Sequence, residues 1–184
     1  FRIKEKLGKD RIRILDDFSG SGVVARYLKR HAQYLATIDL EDYAAVVSRC
    51  YLKNRSAVNE RELALIIADL NSRVDSEEFD PGFIEELYAP RSENNITKDD
   101  RVFYTKQNAR RIDNYRRMIN EVSCEYRDLI LGPLLSEASV HANTSGVFKG
   151  FHKDRRTKIG KYGGTNADAL KRILGDIRLQ SPIL

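Results

Sequence analysis

Two adjacent aspartates, Asp16 and Asp17, precede two closely spaced glycines, Gly20 and Gly22, in the stretch Ile12-Arg13-Ile14-Leu15-Asp16-Asp17-Phe18-Ser19-Gly20-Ser21-Gly22. Val23-Val24-Ala25-Arg26-Tyr27-Leu28 follows directly. The pattern reads as a buried strand, an acidic turn, a glycine loop and the first turns of a helix. The glycines let the main chain turn tightly and come close to a ligand, and the N–H groups opening the helix favour a negative group on the loop. Gly20-Ser21-Gly22-Val23-Val24-Ala25 fits the G-x-G-x-x-G/A spacing of dinucleotide sites, whereas a Walker-type loop is disfavoured because no Lys-Ser or Lys-Thr follows the glycines. A tight turn without a ligand, a nicotinamide or flavin site, and an S-adenosylmethionine site remain open on the glycine spacing. Asp16 and Asp17 favour the last of these. Two carboxylates repel a pyrophosphate, but they hold the ammonium at the methionine end of S-adenosylmethionine.

A second acid supports this choice. Residues 34–40, Tyr-Leu-Ala-Thr-Ile-Asp-Leu, read as a second strand closing on Asp39 and Leu40. Asp39 stands 19 positions after Gly20, near the offset of about 20 at which an acid meets ribose hydroxyls in such folds. It is equally placed to cap a helix over 41–54, and one residue can do both. Glu41 and Asp42 rank second, because carboxylates suit a first helical turn in any case. The candidate cofactor-binding set is therefore Asp16, Asp17, Phe18, Ser19, Gly20, Ser21, Gly22, Asp39 and Leu40.

For these residues to converge, residues 1–54 must form a β-α-β-α unit. Residues 1–7 read as the tail of a helix stopped by Gly8, 22–31 as the first crossover helix, and 41–54 as a helix burying Tyr43, Val46, Val47 and Cys50. From residue 55 the period is helical, over 60–71, 79–87, 105–122 and 126–140, the last kinked or restarted at Gly132-Pro133. Asp80-Pro81 reads as an N-cap followed by a proline at the first helical position. The 105–122 helix buries Ala109, Ile112, Tyr115, Met118 and Val122, and its other face carries Lys106, Arg110, Arg111, Arg116 and Arg117. Residues 91–98 form a polar loop. A final helix over 166–175 leads into an extended stretch over 177–184.

Charge is concentrated in one place. Residues 149–161 hold Lys149, Lys153, Arg155, Arg156, Lys158 and Lys161 against Asp154 alone, a surplus of five that equals the +5 of the whole chain. Glycines flank this run, and Phe148, Phe151 and Tyr162 are interleaved with it. Such a loop is suited to lie along phosphates and offer aromatic faces to bases. A solvated surface loop is the plainer alternative. Asn143 and Thr144 before it and Asn166 after it are candidates to read base edges, although such residues beside glycine also make turns. The candidate DNA-binding set is Asn143, Lys149, Lys153, Arg155, Arg156, Lys158, Lys161 and Tyr162.

Composition bounds the rest. A length of 184 residues, 41% hydrophobic and 32% charged, fits one domain with a charged surface. No run approaches a membrane span and no signal peptide opens the chain. Cys50 and Cys124 are expected to be buried thiols of a reduced, cytoplasmic protein. The three histidines, His31, His141 and His152, lack ligand spacing, so no metal site is expected. The chain opens on Phe1, as expected of a sequence whose true N-terminus lies upstream.

The segment Ile14-Leu15-Asp16-Asp17-Phe18-Ser19-Gly20-Ser21-Gly22 resembles the cofactor motif of adenine-specific DNA methyltransferases, an acid, one residue, then Phe-x-Gly-x-Gly. The block from Leu134 to Phe151, with Val140-His141-Ala142-Asn143-Thr144-Ser145-Gly146-Val147-Phe148 inside it, is similar to members found with restriction systems. The two blocks stand in the family's order. The resemblance implies an α/β fold: a partial Rossmann-like S-adenosylmethionine-dependent methyltransferase domain with a mainly helical target-recognition insertion. The cofactor unit would span 1–54 and the recognition region 55–165, with its basic loop at 146–164, before 166–184 returns to the core. It also implies S-adenosylmethionine as cofactor, double-stranded DNA as partner, and methyl transfer to the exocyclic amine of a flipped adenine.

The family's catalytic Asp-Pro-Pro-Tyr does not occur. Asp80-Pro81-Gly82-Phe83 departs from it at the second proline and comes too early, so no catalytic residue is assigned. The expected identity is the middle of such an enzyme, inactive alone and completed by the remainder of its own polypeptide. A non-catalytic DNA-binding module and a nicotinamide- or flavin-binding Rossmann protein are the alternatives.

Overall fold

Strands β1 (Ile12–Asp16) and β2 (Ala32–Thr37) run parallel, pairing Arg13 with Tyr34, Ile14 with Leu35, Leu15 with Ala36 and Asp16 with Thr37. Parallel pairing requires a crossover, and α2 (Val23–Lys29) supplies it. The computed structural model describes residues 2–144, 150–163 and 167–184. Helix α1 (Arg2–Leu7) precedes β1 and is ended by Gly8 at φ +60. After β2 come α3 (Asp42–Tyr51), a 3-10 turn (Arg55–Ala57), α4 (Glu60–Ser76), α5 (Phe83–Tyr88), α6 (Lys106–Ile119), α7 (Cys124–Val140) and α8 (Ala167–Leu174). The result is a mixed α/β chain with one small parallel sheet and a helical remainder.

The core lies in the helices. Val47, Cys50 and Tyr51 of α3 join Leu63, Ile67 and Leu70 of α4, Ala109, Ile112, Tyr115 and Met118 of α6, and Leu129, Ile130 and Leu134 of α7 in one buried cluster. Helix α3 packs closely on α7 because Gly132 faces Cys50. A Cβ on Gly132 would stand 2.7 Å from the Cys50 Sγ. Helix α7 continues through Gly132-Pro133 without a restart.

Several expectations shift for identifiable reasons. Helix α4 runs on to Ser76 rather than stopping at 71, with the Asn59 side chain accepting from Glu62 N at its start and an Arg73–Glu77 pair at its end. Helix α5 begins at Phe83, so Asp80-Pro81 is not its start. Its cap comes from α6, where the Asp113 carboxylate accepts from Ile84 N and Glu85 N at 3.0 and 2.9 Å. Gly82 makes room for that carboxylate: a Cβ there would meet Asp113 Cγ at 2.4 Å.

Two arginines of the supposed polar face of α6 are structural. Arg111 is buried and pairs with Asp75 and Asp176, and Arg110 forks onto the buried Glu85 at 2.8 and 2.9 Å. The extended stretch after α8 is held by two amides. Asn108 donates to Ile173 O and Gly175 O and accepts from Ile177 N, while Asn71 accepts from Leu179 N and donates to Leu179 O.

Cys50 is buried, but Cys124, at the start of α7, is exposed, which corrects its expected burial. Burial pushes the Cys50 thiol up to about 12, leaving almost no thiolate at neutral pH. A thiol reagent should therefore label Cys124 alone in the native protein and both cysteines in denaturant; fast native labelling of Cys50 would contradict this packing. Among the described residues no helix is long and apolar enough to cross a membrane, and no group of three His, Cys, Asp or Glu side chains is placed to hold a metal.

Candidate functional site

At the tip of β1 the chain is knotted to the end of β2. Ile38 N donates to Asp16 O at 2.8 Å, Ser19 N to Ile38 O at 3.1 Å, and Gly22 N to Ser19 O at 2.8 Å. Gly20 and Gly22 both take positive φ, 48 and 72 degrees, the left-handed region that L side chains adopt only at a cost. A Cβ on Gly20 would meet nothing, so Gly20 is required for its backbone angle and leaves open space above the loop. Gly22 is the N-cap of α2.

Asp39 is bound to this loop. Its Oδ2 accepts from Gly20 N at 2.7 Å and its Oδ1 from Glu41 N at 3.0 Å. Glu41, not Asp39, occupies the N-cap position of α3, so the helix-cap alternative for Asp39 gives way to a role in fixing the glycine loop. The two backbone N–H bonds, Glu41 first and Gly20 second, hold the Asp39 carboxyl below its ordinary 3.8. A depressed folded value means that this anchor is fully present above the unfolded pKa and is lost as pH falls through the lower, folded one. Protection of the Gly20 amide from exchange should therefore persist as the pH is lowered to 3.8 and disappear only below it. Loss of protection already at higher pH would contradict the bond.

Asp16 is half-buried, and its Oδ2 is shielded from solvent without a hydrogen-bond partner among the described residues. Leaving such an oxygen unsatisfied is costly. Around it, Ser19 is buried, Asp17 and Ser21 are exposed, Phe18 presents 91% of its surface, and Leu40 is wholly exposed. Phe18 and Leu40 thus place apolar surface in solvent beside the glycine loop.

The second cluster is a hairpin, residues 150–163, closed by an antiparallel bridge between Lys153 and Gly160, while a bridge between Thr144 and Phe151 ties its first arm to the preceding segment. Asp154 builds its tip: Oδ1 accepts from Arg156 N, Thr157 N and the Thr157 hydroxyl, and Lys158 turns the chain at φ 62. These bonds hold the Asp154 carboxyl below its usual range. Lys153, Arg155, Arg156, Lys158 and Lys161 are exposed, and none is ion-paired among the described residues. Lys149 and Asn166 lie outside the described residues.

Two members of the candidate DNA-binding set face inward. Asn143 is fully buried, donating to Val102 O and Lys161 O at 2.7 and 2.8 Å and accepting from Gly163 N at 2.9 Å. With its amide so occupied, Asn143 ties the hairpin's foot to the body instead of offering an edge to a base. Tyr162 is half-buried; its hydroxyl lies 3.2 Å from Glu93 Oε1 and 3.3 Å from Tyr104 O, and burial raises its pKa. The Asp154-x-x-Thr157 pattern, a side-chain turn signal, was present in the sequence. Nothing local marked Asn143 or Glu93 as anchors.

A small parallel sheet with an acid-and-glycine loop, carried beside a helical remainder, defines a methyltransferase-like α/β chain. The chain matches the model of the D12 class N6 adenine-specific DNA methyltransferases over residues 2–167, and it belongs to that family. It is 28% identical to the type II methyltransferase M.NlaIII of Neisseria lactamica over 91% of this chain and 54% of that protein. It is also 28% identical to M.CviAII of Paramecium bursaria Chlorella virus 1 over 75% of this chain and 40% of that one. With M.FokI of Planomicrobium okeanokoites the identity is 28% over 86% and 25%. The chain thus spans about half or less of the length of these relatives. No solved structure matches it.

Proposed function

We propose that this chain is the S-adenosylmethionine-binding and DNA-recognising part of a site-specific DNA adenine methyltransferase. The observation that carries the reading is the open glycine loop whose geometry Asp39 fixes, with the exposed Asp17 carboxylate beside it. A cationic, hydroxyl-bearing nucleoside fits that arrangement. Asp16, with Asp17 beside it, holds the ammonium. The Asp39 oxygens keep lone pairs free for ribose hydroxyls after binding the two amides. Gly20 permits close approach, and the exposed Phe18 ring and Leu40 cover the nucleoside. A pyrophosphate would meet the repulsion of two adjacent carboxylates, which disfavours a nicotinamide or flavin. When bound, S-adenosylmethionine supplies the methyl group that adenine receives.

The hairpin's role is to hold the double helix. Lys153, Arg155, Arg156, Lys158 and Lys161, with Lys149, lie along phosphates, and Asn143 keeps the hairpin in place. Adenine's exocyclic amine needs proton acceptors and a stacking ring, which the family supplies through Asp-Pro-Pro-Tyr. No adjacent prolines occur in this sequence, so catalysis falls to a polypeptide that carries that block.

The sheet supports such a complement. A parallel pair is ordinarily covered on both faces and flanked by further strands, yet Leu15, Tyr34 and Ile38 are exposed. A reduced cytoplasmic setting suits the unbridged cysteines. The test is to incubate this polypeptide with S-adenosylmethionine and duplex DNA. It should bind duplex but form no N6-methyladenine, and transfer by the chain alone would overturn the division of labour.

A further inference from the structure

The polar loop over residues 91–100 has a fixed shape that a solvated connection does not need. The buried Asp100 accepts from Arg91 N at 3.1 Å through Oδ1, and from Thr97 N and the Thr97 hydroxyl, both at 2.8 Å, through Oδ2. These bonds close the loop on itself and hold the Asp100 carboxyl below its ordinary range. Glu93 fastens the loop at a second point. Its Oε1 accepts from Lys106 N at 2.8 Å, at the start of α6, and lies 3.2 Å from the Tyr162 hydroxyl at the foot of the basic hairpin. The chain then runs directly into residues 102–104, on which the hairpin is seated. There Asn143 bonds Val102 O and Phe103 O, and the Phe103 and Phe151 rings meet edge to face at 5.1 Å. Loop and hairpin are therefore rooted on the same segment and joined to each other.

What the loop presents is chemically distinct from what the hairpin presents. Asn95 N donates to Ser92 O across the turn. The side chains of Asn94 and Asn95 are exposed and make no hydrogen bond among the described residues. Lys98 and Arg101 are exposed at its exit, with Arg101 5.9 Å from the Tyr88 ring. The hairpin's offering is almost entirely cationic, which grips phosphates but carries no sequence information. Primary amides on a rigid loop are the complementary equipment, because an amide pairs at two points with the N6 and N7 edge of adenine.

We propose that loop 91–100 is a second recognition arm, whose Asn94 and Asn95 amides read base edges of duplex DNA held by the hairpin. Lys98 and Arg101 flank them on the backbone. The proposal rests on the DNA-binding reading above. It is tested by selecting bound sequences from a pool of random-sequence duplexes, using the whole chain and its Asn94→Ala/Asn95→Ala variant. The unaltered chain should enrich a consensus. The variant should keep its affinity for the unselected pool within about twofold, with the same salt dependence, yet lose on the order of tenfold preference at one or two neighbouring positions. An identical consensus from both proteins overturns the arm and makes the asparagines turn residues only. Retention of duplex without any consensus overturns base reading while leaving the phosphate grip standing. Retention of no duplex by the unaltered chain sinks the DNA-binding reading itself.

Discussion

Replacing Lys153, Arg155, Arg156 and Lys158 together by alanine should flatten the dependence of log affinity for duplex DNA on log salt by about 3.6, taking roughly 0.9 per phosphate contact. Near 0.1 M salt that corresponds to a loss of more than about a thousandfold. The size follows from exposure: these cations are free of carboxylate partners among the described residues, so each is available to displace a counterion. The hairpin should survive the change, because its shape depends on Asp154, Thr157 and Asn143 and not on the basic side chains. Equilibrium binding at several salt concentrations, with circular dichroism as a folding control, measures both. An affinity within a few-fold of the unaltered protein would show that the loop is merely solvated. Alanines at Lys4 and Lys6 in α1, equally basic but elsewhere, should change the slope little.

The second large effect falls on stability. Gly132→Val should destabilise the chain by roughly 3 kcal/mol, the upper part of the range for overpacking a filled core. Ordinarily, removing glycine from a helix interior gains up to about 1 kcal/mol. Here the sign reverses, because the new Cβ would stand 2.7 Å from Cys50 Sγ and 2.8 Å from its Cβ. Cys50 is wholly buried on α3, and its Cβ, bonded directly to the main chain, cannot swing aside. Helices α3 and α7 must then separate, disturbing the contact that joins the sheet-bearing unit to the helices. Urea unfolding gives the difference. Gly132→Ala should cost less, and adding Cys50→Gly to it should recover part of the loss. A stabilised Gly132→Val would mean that the helices are not in contact there.

The shape of the acid-and-glycine loop was legible in the sequence because its signal is local. Strand apolarity, two positive-φ glycines and an acid about one β-α-β unit later all act within forty residues. Local chemistry also located the hairpin, since a surplus of charge is visible without a fold. Contacts between distant segments were not legible. The cap of α5 is Asp113, some thirty positions away, so Asp80-Pro81 offered a better local helix start than the one adopted. Arg111 has the helical register of a polar face but is buried because Asp75 and Asp176 come to it from other segments. Asn143 read as a base contact for the same reason: its carbonyl partners lie at Val102 and Lys161. Helix α7 passes through Gly132-Pro133 because packing against α3 outweighs the local break signal, a case of tertiary contacts overriding propensity.

Whether the acid-and-glycine loop takes a nucleoside decides whether this chain holds a cofactor. Titration calorimetry with S-adenosylhomocysteine on the unaltered chain, on Asp39→Ala and on Asp16→Asn is the measurement that tests it. The prediction is a saturable heat with the unaltered chain, lost in Asp39→Ala and weakened at least tenfold in Asp16→Asn, while helix content stays the same in all three. No heat with the unaltered chain, or equal binding by all three proteins, would contradict it.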